Sequence, residues 1–291
     1  MKIKLSSPIV DLHVHSNRSD GSLTPTEVVD RAVAKGLSAF ALTDHDTVAG
    51  IDEALAAAAG KDIEVIPGIE LSTEYEGKDI HMVGLMIDYQ STDFQKKIKV
   101  FADSRELRNE KMCQKLQQGG IPIEYSSLKN YFKESVITRA HYARYMLEMG
   151  YTKYLKEAFE RYIGDNSPYF VPREKVSPQD AINLILQAGG LPILAHPLLY
   201  HMGNERLEKL VVTLKEAGLM GIEAIYTTYS PGEELQMKKL ADKHDLLISG
   251  GSDFHGAAKP TIDIAVGYGS LVVPATVLYD LKEKREEMLH A

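Results

Sequence analysis

Tryptophan is missing from this chain, and cysteine occurs once, at Cys113. A single thiol cannot close an intrachain disulfide or assemble a cysteine-based zinc site. Long hydrophobic runs are lacking as well. No segment approaches the roughly 18 apolar residues of a membrane span, and the opening MKIKLSSPIV has no apolar stretch of the secretory kind. Nor is there a dense run of Lys or Arg. With 33 basic against 41 acidic residues the formal charge is −8, which argues against a surface that tracks a long nucleic acid. A small phosphate ester gripped by local positive charge remains compatible with that balance. These absences predict a soluble, cytoplasmic protein with a small-molecule partner, no long nucleic acid and no membrane contact.

What is present is globular composition, 44% hydrophobic and 25% charged over 291 residues, enough for one large α/β domain with or without an insertion. Short apolar runs read as seven strands, at 9–12, 39–44, 63–71, 79–87, 191–197, 221–226 and 246–253, the third and fourth joined by the turn EGKD. Thr24-Pro25-Thr26-Glu27 is a capping-box pattern opening a helix that stops at Gly36, and an Ala-rich helix ends near Gly60. Helical periodicity covers 178–188, 204–217 and 231–244, each followed by a strand. Strand-then-helix order favours a parallel barrel or a doubly wound sheet. The interval 100–172 carries helical patterns alone and reads as an insertion between barrel segments 1–99 and 173–291.

In the stretch DLHVHSNRSDG, His13 and His15 stand two apart after an apolar run, so an extended chain projects both to one face. His45, Glu70, His81, His196, Asp253 and His255 fall at or near the other strands. In parallel β/α folds, sites assemble at the carboxyl ends of strands, where the loops converge. One histidine beside an apolar run is usually an ordinary core residue; six of the ten histidines at strand ends, with acids among them, predict a shared metal centre. Imidazole with carboxylate suits zinc, manganese or iron, and the ligand supply exceeds the needs of one ion, which predicts two or three.

DLHVHSNRSDGSLTP, ALTDHDTVAG, PGIELSTEYEGKDIHMVGL, AHP and GGSDFHG together resemble the polymerase-and-histidinol-phosphatase (PHP) family of phosphoesterases, in the family's order and over most of the chain outside the insertion. The likeness is greatest to its small-nucleotide branch, which includes nucleoside 3′,5′-bisphosphate phosphatases. The resemblance implies a distorted (β/α)7 barrel with a helical insertion. It implies one metal site at His13, His15, Glu70 and Asp253, a second in which His81 and His196 join a bridging Glu70, and a third at Asp20, His45 and His255. Several family members have histidine where this chain has Asp20. Arg139 and His141, in ITRAHYARYM, look like the insertion's contribution to phosphate binding, since an Arg fork suits phosphate oxygens. Arg18, Arg173 and Lys175 are further clamp candidates. Asp44 or Asp46 could orient an imidazole, although Asp46 could equally cap the following helix. The segment AIYTTYS could stack a base or simply pack.

The expected activity is metal-dependent hydrolysis of a small nucleotide phosphomonoester, namely the 3′-phosphate of a nucleoside 3′,5′-bisphosphate. Glu70, Asp253, His255 and Arg139 are the residues on which catalysis should depend. The alternatives are a 5′-3′ exoribonuclease on short RNA, a histidinol-phosphate-like phosphatase, an amidohydrolase, and a non-catalytic metal-binding module. A carbonyl substrate would not need Arg139, and a module would be expected to lack ligands that this chain retains.

Overall fold

Two buried apolar faces and one tight turn set the architecture of the computed structural model, which describes residues 8–164, 166–172 and 176–290. Arg173, Lys175 and the expected boundary at 173 lie outside the described residues. All seven expected strands form: β1 (Ile9–Val14), β2 (Ala39–Leu42), β3 (Glu64–Tyr75), β4 (Lys78–Leu85), β5 (Leu191–Leu194), β6 (Gly221–Tyr226) and β7 (Leu247–Gly251). An eighth, β8 (Val273–Pro274), lies beyond the sequence expectation and pairs antiparallel with β1. The sheet runs in the order β7-β6-β5-β4-β3-β2-β1-β8. The backbone N–H of Asp253 donates to His13 O at 2.9 Å and that of His15 to Phe254 O at 3.0 Å, so the two ends nearly close into a barrel. Gly251 permits that approach, because a Cβ there would lie 2.5 Å from the His13 Cβ.

The expectation of a parallel sheet needs correction at β4, which is antiparallel to both β3 and β5. Glu76 and Gly77, at φ 49° and 78°, make a two-residue hairpin turn between Tyr75 and Lys78. Such a turn can join only antiparallel strands, because a parallel pair needs a long crossover. Glu70 and His81 therefore do not end their strands. Glu70 sits mid-way along the 12-residue β3, and His81 is the fourth residue of β4. The reversed direction of β4 still brings its early residues to the rim where the parallel strands finish.

Helix α1 (Pro25–Ala34) starts with the expected capping box, Thr24 against Glu27. It is followed by α2 (Ile51–Ala58). Between β4 and β5 come α3 (Thr92–Gln118), α4 (Tyr125–Tyr131), α5 (Arg139–Glu148) and α6 (Leu155–Ala158), the last running into one π-helical turn. Helices α7 (Pro178–Gln187), α8 (Asn204–Glu216) and α9 (Pro231–Lys243) follow, and α10 (Ala275–His290) packs Val277, Leu278 and Leu281 under the barrel. Helix α3 belongs to two cores. Phe94, Ile98 and Phe101 join the cluster around β3 and β4, while Met112, Cys113 and Leu116 join one built from α4, α5 and α6. The second of these cores thus begins part-way along a continuous helix.

Candidate metal centre

Strands β1, β3, β4 and β6 and the loops after β1, β2, β5 and β7 present polar side chains at the rim. His196 and Asp253 have positive φ, 28° and 54°, as does Asp46 (52°) next to His45. Non-glycine residues adopt this region only at a cost of about 1–3 kcal/mol, repaid where the surroundings hold them. On β6 the register shifts between Glu223 and Ile225, an irregularity that turns Glu223 into the interior.

At the centre lies Glu70, 1% exposed. Its Oε1 is 2.9 Å from His81 Nδ1 and 3.0 Å from His196 Nε2. Its Oε2 is 3.0 Å from His45 Nδ1, 3.2 Å from His15 Nε2 and 3.3 Å from His13 Nε2. The two oxygens of one carboxylate thus face two sets of imidazoles. Asp253 Oδ1 adds to the second set, 3.3 Å from His15 Nε2 and 3.7 Å from His13 Nε2. Asp20 Oδ1 is 3.2 Å from His255 Nε2, and Asp20 Oδ2 is 3.7 Å from His45 Nε2. All nine metal-ligand candidates are therefore brought together. The groups able to share an ion overlap more than the three sets implied by resemblance: His15 also lies with Asp20, His45 and His255, and His45 also with Glu70 and His81.

The arrangement fits divalent cations. Buried His13 Nε2, His15 Nε2, His45 Nδ1, His196 Nδ1 and Asp20 Oδ1 have no hydrogen bond of acceptable geometry among the described residues. Leaving such atoms unpaired is costly unless a cation takes them. Electrostatics agree. Burial alone would push His15 down, but Asp253 and Glu70 carry it up to about 9, while His45 is driven by burial down to about 4. Burial opposes protonation of His13 too, yet Glu223, Glu70 and Asp253 raise it well above the usual range. Protons drawn onto a cluster by its acids are the charges a metal replaces.

Residues behind the cluster orient it. Glu223 accepts from His13 Nδ1 at 3.1 Å and from the His196 backbone N–H at 2.8 Å, leaving His13 Nε2 for the centre. His255 Nδ1 donates to Asp253 O at 2.8 Å, so its Nε2 faces Asp20. Asp44 accepts from Ser16 N–H and from the Ser16 and Ser19 hydroxyls, and Ser19 Oγ lies 3.4 Å from His15 Nδ1. Asp44 therefore reaches the imidazole through a serine. Asp46 does not cap α2, whose N-cap is Gly50 without a side-chain bond. It pairs instead with buried Arg105 of α3 at 2.7 Å and accepts from Ser72 N–H. Tyr226, in the segment weighed for base stacking, donates to Asp253 Oδ2 at 2.7 Å. The sequence reading passed over Glu223, Arg105 and Lys259, whose ammonium is 2.6 Å from Asp253 Oδ2. The GIEAIY run placed Glu223 on a strand, but its inward aim depends on the irregularity in β6.

The insertion touches this rim. Thr138 donates from Oγ1 to Asp20 Oδ2 at 2.8 Å, while its own N–H donates to His141 Nδ1 at 3.0 Å in a capping box that starts α5. Burial holds His141 down to about 4, so at neutral pH its proton sits on Nε2. Arg139 is held by Asp79 at 2.9 Å and lies over the Phe170 ring. Asp79 and His81 are two apart on β4 and share a face. Arg18 pairs with Glu53 and Glu134, away from the ligands.

The family model of the PHP domain matches residues 11–167. This chain belongs to the PHP family. It is 42% identical over 245 residues to a 5′-3′ exoribonuclease of Haemophilus influenzae, covering 84% of this chain and 89% of that one. It is 36% identical over 256 residues to a 3′,5′-nucleoside bisphosphate phosphatase of Chromobacterium violaceum, covering 88% and 90%. Among solved structures, a Chromobacterium violaceum protein described as an amidohydrolase with bound sulfate superposes with TM-score 0.83 at 34% identity, covering 95% of this chain and 96% of that one. One described as a metal-dependent phosphoesterase candidate from Bifidobacterium adolescentis gives 0.81 at 27%, with the same coverage. This PHP protein is a metal-dependent phosphoesterase, with His, Asp and Glu clusters able to hold its metal. No helix among the described residues is long and apolar enough to cross a membrane.

Proposed function

We propose that the protein hydrolyses the 3′-phosphate of a small nucleotide that also carries a 5′-phosphate, a nucleoside 3′,5′-bisphosphate. The observation that carries this reading is Glu70, one buried carboxylate whose two oxygens face His81 with His196 and His13 with His15 and His45. That division suits a bridge between two divalent ions, with Asp20, His45 and His255 as ligands for a third. Manganese, zinc and iron all match the donors. Bound ions would lower the pKa of water toward neutrality and offset charge on the phosphoryl oxygens. Glu70 and Asp253 fix the ligand geometry around the attacked phosphorus. His255, its Nδ1 held by the Asp253 carbonyl, would hold the third ion through Nε2, and that ion would offset charge on the leaving oxygen. Arg139, steadied by Asp79 beside the His81 face, supplies a planar fork for a phosphate, and the His141 Nε2–H adds a neutral donor.

A second reading, a 5′-3′ exoribonuclease acting on short RNA, is favoured by the relative of that name at 42% identity. Both readings break a bond at the phosphorus on the 3′ side of a 5′-phosphorylated nucleotide. They differ in whether that phosphorus carries another nucleotide.

The test is kcat/KM across a nucleoside 3′,5′-bisphosphate, the 3′- and 5′-monophosphates, a 5′-phosphorylated dinucleotide and a sugar phosphate, with each metal supplied. The bisphosphate is expected to lead, because binding energy from the remote 5′-phosphate holds the scissile group in line. Arg139→Ala should raise KM for it about tenfold to a hundredfold, the worth of a charge-assisted contact. A dinucleotide preference would establish the second reading. Equal kcat/KM for sugar phosphates would overturn both.

A further inference from the structure

His255 is followed by one short 3-10 turn, Gly256–Ala258, which folds the chain back so that Lys259 returns to the centre. Its ammonium donates to Asp253 Oδ2 at 2.6 Å, and the Tyr226 hydroxyl donates to the same oxygen at 2.7 Å. Asp253 Oδ1 is turned the other way, 3.3 Å from His15 Nε2 and 3.7 Å from His13 Nε2. The carboxylate therefore divides the cluster, with ligand nitrogens on one side and a fixed cation on the other. The lysine side chain is 39% exposed and that of Asp253 only 6%. The stem runs in from solvent, and the ammonium stands at the mouth of the cluster.

Charge says why a cation is useful there. Asp20, Glu70, Glu223 and Asp253 are buried acids of this cluster, so two divalent ions would only cancel their charge and a third would leave an excess of about two positive charges. A phosphate ester carries a comparable negative charge and gains further attraction from a cation beyond the ions. Buried Arg105 is committed to Asp46 and does not supply that charge. A lysine is suited to the place: it can keep one N–H on Asp253 and turn the other two toward an anion, whereas a guanidinium would impose its own plane.

We propose that Lys259 is a catalytic residue that binds a non-bridging oxygen of the scissile phosphate while anchored on Asp253. The inference rests on the reading that a phosphate ester occupies this cluster. Its test compares the metal-loaded wild type with Lys259→Met, Lys259→Gln and Lys259→Arg. Three quantities are read: inorganic phosphate binding by calorimetry, kcat/KM for a nucleoside 3′,5′-bisphosphate, and metal content by elemental analysis. Met and Gln should weaken phosphate binding and kcat/KM about tenfold to a hundredfold at unchanged metal content, with Arg recovering part of the loss. Phosphate binding within about twofold of wild type in both neutral variants would overturn the proposal, that being below the worth of a charged hydrogen bond. So would metal loss in step with the loss of phosphate, which would make Lys259 only a prop for Asp253. If no nucleotide is hydrolysed by wild type while phosphate binding still depends on Lys259, the nucleotide reading falls and this one stands.

Discussion

Glu70 meets five imidazoles at 2.9–3.3 Å, so replacing it tests the centre more directly than replacing any one histidine. Glu70→Gln keeps the size and removes the charge that offsets the cations. It should lower metal stoichiometry and abolish most turnover; normal metal content by elemental analysis would refute the bridge. Glu223 acts at one remove, through His13 Nδ1 and the His196 backbone. Glu223→Gln is expected to weaken metal affinity about tenfold to a hundredfold, the usual cost of losing an orienting carboxylate. Chelator competition measures that directly, and an unchanged affinity would reduce Glu223 to a packing residue.

At the scale of an element, α5 joins the insertion to the centre through its first turn. Thr138 caps the helix and also donates to Asp20, so Thr138→Ala should cost about 0.5–2 kcal/mol in unfolding free energy from the cap alone. The third helical residue of that cap is His141, where a capping box ordinarily has Glu or Gln. Burial lowers His141 from its ordinary 6.5 to about 4. As pH falls below 6.5 the unfolded chain takes up a proton that the folded chain refuses until about 4. The stabilisation is therefore complete above that window and lost through it on acidification, by up to about 3 kcal/mol. His141→Gln keeps a capping side chain without titrating. Its denaturant midpoint should fall less steeply between pH 6.5 and 4 than that of wild type, and parallel curves would contradict the assignment.

At the scale of the whole molecule, strands β1, β3, β4 and β6 send His13, Glu70, His81 and Glu223 to one buried cluster, and the loops after β1, β2, β5 and β7 add His15 with Asp20, His45, His196, and Asp253 with His255, so cation binding and barrel closure are coupled. A ligand that binds only the folded state adds about 3 kcal/mol at a hundredfold excess over its Kd. Chelation should therefore lower Tm by several degrees, reversibly on metal return, as followed by calorimetry. A Tm unmoved by chelator would mean that the cluster closes without its cations.

Chemistry was legible in the sequence because metal ligation depends on residue type. Nitrogen and oxygen donors had to supply the site once thiols were lacking, and the spacing in DLHVH puts two imidazoles on one face whatever the rest of the fold does. The strands were legible from apolar runs, and α1 from its capping box. Direction was legible only in the turn EGKD between the third and fourth strands. That β4 also runs against β5 was not, and its reversal brings His81 to the same rim as Glu70. Glu223, Arg105 and Lys259 are single charged residues in ordinary local contexts, with no spacing to mark them. Their roles arise from partners that only the folded chain supplies: distant His13 for Glu223, distant Asp46 for Arg105 and, for Lys259, an acid six residues back that a short turn brings within reach. Sequence determined which donors were available; closure of the barrel decided which atoms face one another, because that depends on strand direction, register and backbone turns set by the whole chain.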